Sequence, residues 1–232
     1  MTGLLTVDKP QDWTSHDVVA FVKRRYNFKK VGHAGTLDPM ATGVLVLLLE
    51  KGTKLSQKFI NDDKDYQGSL VLGVETDTGD AQGKVVSKQE VPQVGLEDIK
   101  ALFKEFEGEQ QQRPHPVSAV KHKGTRLYKL ARKGIVIKPE PRTIHINKLN
   151  LINLELPIVW FKVSCSKGTY IRSLAVDIGR KLGTCAHVNS LRRTRSGPFN
   201  QEDCLEIDQI KGMELEQIIE KSTLLMKKAK IN

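Results

Sequence analysis

The segment from Gly32 to Gly43, Gly-His-Ala-Gly-Thr-Leu-Asp-Pro-Met-Ala-Thr-Gly, constrains this chain more than any other. Its three glycines permit sharp turns and close backbone approach. Pro39 biases Asp38 away from the helical region and holds it extended. Val44 to Leu49 follows directly, six apolar residues and the longest such run in the sequence. That length suits a buried strand and falls far short of the ~20 apolar residues that cross a bilayer. The pattern therefore predicts a carboxylate held at the mouth of a buried strand. An Asp-Pro pair alone is also an ordinary turn or helix N-cap, so chemistry must be argued from its company.

Around this segment, helical and strand patterns mix without regular β-α-β alternation. Thr14 to Asp17 is a capping-box pattern opening a helix with Val18, Val22 and Tyr26 on one face. Thr53 to Ile60 reads as a short helix and Tyr66 to Gly73 as an alternating strand. A polar turn, Thr76 to Gly83, precedes a strand around Val85, and Leu96, Ile99, Phe103 and Phe106 form a helical stripe. Val117 to Lys121 reads as a strand, His122 to Gly124 as a turn, then a short helix stopping at Gly134. Val159 to Cys165 alternates as a strand. Tyr170 to Leu182 is a helix stopped by Gly183, and an amphipathic helix lies around Leu215 to Ile219. With no internal repeat or linker, the reading is α+β, one domain over residues 1–232 with a short helical tail.

The charge is concentrated. Of a formal net charge of +10, the thirty residues from Arg113 to Arg142 hold nine Lys or Arg and one acid, Glu140. Lys23-Arg24-Arg25 with Lys29-Lys30, and Arg192, Arg193 and Arg195, form smaller clusters. Focused charge of this kind is the footprint of a polyanion partner, although a basic run can also be a solvated face. Pro114, Pro116, Pro139 and Pro141 bracket the basic segment, which predicts an excursion from the core. Lys121, Lys123, Arg126 and Lys129 are its candidate RNA contacts.

Several function classes lack support. There is no G-x-x-x-x-G-K-[ST], no G-x-G-x-x-G and no H-E-x-x-H, which disfavours ATP hydrolysis, nicotinamide chemistry and zinc proteolysis. Cys165, Cys185 and Cys204 are odd in number and far apart, so neither a metal site nor a disulfide framework is expected. Unpaired thiols and the absence of a signal-peptide pattern at the start predict a cytoplasmic protein with no membrane association.

Ser166-Lys-Gly-Thr-Tyr-Ile-Arg172 is a second constellation. A strand ends at a Lys-Gly turn and a helix begins with Tyr170 and Arg172. An Arg in the first turn opposes the helix dipole and so asks for another role, which a carboxylate partner would supply. Spacing alone does not say which carboxylate.

Five blocks then resemble one family. Gly3 to Pro10, Gly32 to Gly43, Leu72 to Gly83, Ser166 to Arg172 and His187 to Arg193 stand in the order seen in TruB-type tRNA pseudouridine synthases, whose core the dyskerin-type guide-RNA synthases largely share. The resemblance implies a pseudouridine-synthase-like, largely antiparallel mixed sheet with packed helices and a central catalytic cleft. It implies conversion of a T-loop uridine of tRNA, at position 55, without metal or cofactor. It makes Asp38 the nucleophile, paired with Arg172, and Tyr66 the group that stacks on the target base. Tyr170 and Leu191 would line the pocket, and His33 would support the RNA loop. Asp80 takes a supporting role, and the segment 113–142 is similar to the family's thumb. The sequence past Leu191 is too short for the RNA-binding C-terminal module of longer relatives, which leaves the T-arm as the main handle. A monomer without an obligate protein partner is expected. The rivals are a guide-RNA-dependent ribosomal RNA synthase and an RNA chaperone without turnover; Asp38, Tyr66 and Arg172 together argue against the latter.

Overall fold

A computed structural model describes residues 2–118, 120–122, 124–131, 133–135, 137 and 139–231, without the side chains of 121, 122, 126, 128 and 129. The chain opens with β1 (Thr2–Lys9), α1 (Ser15–Arg25), β2 (Val31–Ala34) and β3 (Thr42–Glu50). A 3-10 turn leads to α2 (Ser56–Ile60), then β4 (Lys64–Leu72), β5 (Val74–Thr76) and β6 (Val85–Lys88). Next come α3 (Leu96–Glu105), β7 (Gly108–Gln112), β8 (Lys121–His122), β9 (Thr125–Arg126) and α4 (Leu127–Ala131). The hairpin β10 (Arg142–Glu155) and β11 (Ile158–Cys165) precedes α5 (Ile171–Lys181) and β12 (Ala186–Ser196). β13 (Phe199–Asn200), α6 (Ile207–Gly212) and α7 (Leu215–Lys228) follow. Strands and helices are mixed, and the strand pairing is mostly antiparallel. Two compact units form: Met1–Tyr66 with Arg192–Asn232, and Gln67–Leu191.

In the first unit β3 is the central strand. β1 pairs with it antiparallel from Thr2↔Glu50 to Lys9↔Gly43, and β2 pairs through His33↔Leu47. The end of β12 runs parallel to its start, at Arg192↔Thr42 and Arg193↔Gly43. Val44 to Leu49 are all buried, so the apolar run has no polar alternation because neither face meets water. On one face Val44, Val46 and Leu48 share a core with Leu4, Phe59, Phe199, Leu225 and Met226. α1 starts at the expected capping box, with Thr14 accepting from the Asp17 amide and Asp17 from the Thr14 amide.

In the second unit the strand order is β12, β4, β11, β10, β7. α3 packs on β10 and α5, burying Ile99, Leu102 and Phe103. The expected stripe is offset at its start, where Leu96 is exposed because it opens the helix. The 14-residue β10 was not legible as a strand; two bulges against β11 break its alternation. The strand expected over Val117 to Lys121 is only the two-residue ladder Lys121↔Arg126 and His122↔Thr125. Pro114 and Pro116 lack backbone donors, and Val117 bonds to side chains instead, its N–H to His115 Nδ1 and its carbonyl to Arg172 Nη2.

Among the described residues no helix is long and apolar enough to cross a membrane. Nor do three or more His, Cys, Asp or Glu residues gather there in a group that could hold a metal ion. Cys165 and Cys185 are buried, and burial pushes the Cys204 thiol up to about 12, so that it stays protonated.

Candidate active site

Asp38, His33 and Tyr66 belong to the first unit, and Arg172, Tyr170 and Leu191 to the second. The Asp38 loop is held by buried side chains acting on its backbone. Ser15 Oγ accepts from the Leu37 amide at 2.8 Å and donates to the Leu37 carbonyl at 3.1 Å. The fully buried Lys9 ammonium donates to the carbonyls of Pro10 (2.8 Å), Trp13 (2.6 Å) and Pro39 (3.1 Å). Asp12 N–H also reaches the Pro39 carbonyl, at 2.9 Å, and the Ala41 amide closes a turn on Asp38 O at 3.0 Å. Burial lowers the Lys9 pKa to about 8, with Asp12 and Asp38 working against that shift.

Arg193, 1 % exposed, ties both ends of this loop: Nε donates to Val44 O at 2.7 Å and Nη2 to Gly35 O at 3.1 Å. A buried guanidinium needs such donors satisfied to be tolerated. Gly43 makes the approach possible. Its φ is +100°, and a Cβ there would lie 2.2 Å from Arg193 O. Sequence reading treated Lys9 and Arg193 only as parts of family-like blocks and a basic cluster. Their signal was position: Lys9 ends β1 and Arg193 lies opposite Gly43.

Tyr66 is buried on β4, and its neighbour Asp65 receives a bidentate grip from Arg195, with Nε and Nη2 both at 2.8 Å. Lys64, on Tyr66's other side, is buried and donates to the carbonyls of Phe59 (3.1 Å), Ile60 (2.9 Å) and Asp62. His33 sits half-buried on β2.

In the second unit Arg172 is buried in the first turn of α5. Nη1 donates to Thr78 O at 2.6 Å and lies 3.7 Å from Asp80 Oδ2, while Nη2 donates to Val117 O at 2.8 Å. Asp80, read from sequence as a supporting acid, is thus an ion-pair partner of Arg172. The turn Thr76–Gly83 builds its seat: Thr78 Oγ1 and the Gln82 amide donate to Oδ1, at 2.6 and 3.1 Å. Gly83 leaves room for it, since a Cβ there would meet Thr78 Oγ1 at 2.3 Å.

Tyr170 caps α5 and is fixed by Gln112, whose Oε1 accepts from the Tyr170 amide at 2.7 Å while Nε2 donates to its carbonyl at 3.1 Å. Gln112 gave no sequence signal, because a polar residue at a strand end looks like surface. Leu191 is buried on β12 opposite Gly68, where a Cβ would meet Ser190 O at 2.3 Å. Of the four basic candidates, Lys123 lies outside the described residues. The backbones of Lys121, Arg126 and Lys129 form β8, β9 and α4, and their side chains lie outside the described residues.

Comparison with known proteins adds an independent line. Residues 23–171 match the TruB family pseudouridylate synthase N-terminal domain, and residues 172–227 the tRNA pseudouridylate synthase B C-terminal domain. The chain is 45% identical over 218 residues to tRNA pseudouridine synthase B of Opitutus terrae, covering 94% of this chain and 90% of that one. It is 45% identical over 219 residues to tRNA pseudouridine synthase B of Clostridium tetani, covering 94% and 76%. Among solved structures it resembles a Cbf5-Nop10-Gar1 complex (TM-score 0.71, 35% identity) and the archaeal box H/ACA sRNP Nop10-Cbf5 complex (0.68, 32%). Each likeness covers 94% of this chain, which spans 58% of the matched chain. The chain belongs to the TruB family of pseudouridylate synthases.

Proposed function

We propose that this protein isomerises uridine to pseudouridine in the T-loop of tRNA, at position 55, with Asp38 as the catalytic carboxylate. The observation that carries this reading is the seating of the Asp38 loop by Lys9, Ser15 and Arg193, in a chain of this family. Three buried side chains hold the backbone on either side of one carboxylate, as preorganised catalysis requires.

The reaction breaks the bond between the base and C1′, turns the uracil over and joins C1′ to C5. As the C1′–C5 bond forms, C5 gives up its proton and N1, freed from C1′, takes one up, so the composition is unchanged and no electrons are exchanged with another molecule. A stacked uridine cannot react this way, so the base must first leave its stack, at a cost of a few kcal/mol. Stacking on Tyr66 would return ~1–3 kcal/mol of this. The Asp38 carboxylate then attacks sugar or base, or takes a proton from the sugar. Arg172 acts with it as the cationic group, Tyr170 and Leu191 bound the base, and His33 supports the opened RNA loop. The T-arm of tRNA is the partner, met by the basic segment 113–142; the protein acts as a monomer in the cytoplasm.

The test is nucleotide mapping by carbodiimide labelling after the pure protein acts on an unmodified tRNA transcript. One pseudouridine is expected in the T-loop. Asp38→Asn, nearly isosteric, should lower the rate by at least about 10²–10⁴-fold, with tRNA affinity within a few-fold. Arg172→Lys should also cost much of the rate, and the double variant should lose less than the two losses combined. Turnover by Asp38→Asn, with deamidation excluded, would move the chemistry to another residue.

A further inference from the structure

The basic excursion begins on the catalytic arginine. Arg172 holds two carbonyls at once: Thr78 O, on the turn that carries Asp80, and Val117 O, five residues into the excursion from Gln112. Val117 is itself held on the other side of its Cα, since its N–H donates to His115 Nδ1 at 3.2 Å. Pro114 and Pro116 flank His115 and fix φ on both sides of it. The imidazole edge lies against Gly79, where an added Cβ would sit 3.2 Å from Cδ2 and 3.3 Å from Nε2. At the other end of the excursion Arg113 Nη1 donates to Pro139 O at 2.6 Å.

We infer that His115 is a positioning residue: by accepting the Val117 amide it aims the Val117 carbonyl at Arg172 Nη2, and so links the RNA-holding excursion to the catalytic guanidinium. The inference rests on the functional reading above for its consequence, but the contact stands apart from it. Nη1 is anchored on a fixed turn and Nη2 on the segment that RNA is proposed to grip. A shift of residues 115–118 on RNA docking therefore redirects Nη2. The role requires a neutral imidazole, because only an unprotonated Nδ1 accepts. Burial first, and then the adjacent Arg172 charge, lower the His115 pKa to about 4, with Asp80 and Asp77 opposing them. The ring is neutral at pH 7, with its proton on Nε2. Nothing in the sequence marks this histidine as functional, since a lone His between prolines reads as loop.

Two variants separate positioning from packing. His115→Ala removes both ring and acceptor. His115→Asn loses the ring but keeps an oxygen that can accept from the amide two residues on, as in an Asx-turn. With a T-arm hairpin as probe, His115→Ala should slow single-turnover conversion at saturating RNA by about tenfold, the scale of one lost hydrogen bond. Affinity should stay within about twofold, and His115→Asn should recover most of the rate. Hydrogen exchange at the Val117 amide, measured on the free protein, should be faster in His115→Ala and restored in His115→Asn. Equal losses in both variants would assign the effect to ring packing against Gly79 and overturn the inference. Unchanged exchange in His115→Ala would overturn it whatever the rates. A wild-type protein that leaves the hairpin's uridine unmodified would instead sink the functional reading, while the exchange measurement still decides the contact.

Discussion

Around Asp38, buried side chains donate to the backbone: Arg193 to Gly35 and Val44, Ser15 to Leu37, and Lys9 to Pro39. In the excursion between Arg113 and Pro139 the fastenings lie at its base and start. These are the β7–β10 ladder, Arg113 on Pro139, and Arg172 on Val117. Farther out, the hydrogen bonds among the described residues are local: the β8–β9 ladder, the Leu127 amide on Val120 O, and the turn that closes α4 on Leu130 and Ala131. The difference fits the two tasks proposed for these regions. A group that makes or breaks a covalent bond must be fixed to a fraction of an ångström, so its loop is over-determined by groups that are costly to bury. A segment that grips phosphates needs charge and reach, and geometry matters less because phosphate contacts position rather than specify.

Two glycines put the contrast to its severest test. Gly43→Ala would push a Cβ against Arg193 O in a left-handed backbone. Strain and overpacking together should cost about 2–5 kcal/mol in denaturant unfolding. Gly124, in the excursion, also has positive φ, but among the described residues nothing lies within 4 Å of an added Cβ. Gly124→Ala should cost only the left-handed penalty, about 1–2 kcal/mol. Equal losses at the two sites would erase the distinction between an embedded loop and an open one.

A smaller effect is expected from neutralising Lys121, Lys123, Arg126 and Lys129 together. tRNA binding should weaken, and each lost phosphate contact should lower the log–log salt slope by about 0.7–0.9. Single-turnover rate at saturating tRNA should fall much less. If affinity and slope hold steady in filter binding, the cluster is a solvated face and the thumb reading goes.

The smallest effect is on acid stability. An unfolded-chain histidine protonates near 6.5, and His115 in the folded protein near 4. Above 6.5 neither state carries the proton and the contribution is complete. Between 6.5 and 4 the unfolded chain takes up a proton the native state refuses, so stability falls as pH falls, by at most about 1.4 kcal/mol per pH unit. Unfolding midpoints at pH 7 and 5 should therefore differ less in His115→Asn than in the wild type. Parallel shifts would mean that His115 is solvated in the native state.

What the sequence disclosed followed from local rules. The Thr14–Asp17 capping box, the buried run at Val44 and the Gly183 stop after α5 each depend on neighbours within a few residues. Gly183 indeed has φ +76°. The α+β class followed from the same elements. The seat of Asp38 was hidden because it is built from afar: Ser15 lies 22 residues from Leu37, and Arg193 lies 149 from Val44. No periodicity records a side chain's bond to a distant carbonyl. Lys9 shows the same limit, for a lysine beside a proline looks like surface yet is fully buried. Asp80 was visible as one acid among several in Glu75 to Asp80, but the ion pair with Arg172 across the fold was not.

The tie at the neck of the excursion bears on how such a protein can change over evolutionary time. Gln112 faces Arg142 in the ladder, and Arg113 bonds to Pro139 just inside it. A loop closed at its neck can lengthen or shorten cheaply, since each doubling of length adds only about 0.6 kcal/mol of closure entropy. Insertions and deletions beyond residue 118 and before residue 139 leave the strands beneath, and the Val117 contact with Arg172, untouched. Preferences for the proposed RNA partner can be drafted there, residue by residue, while the chemistry they would serve is inherited unchanged.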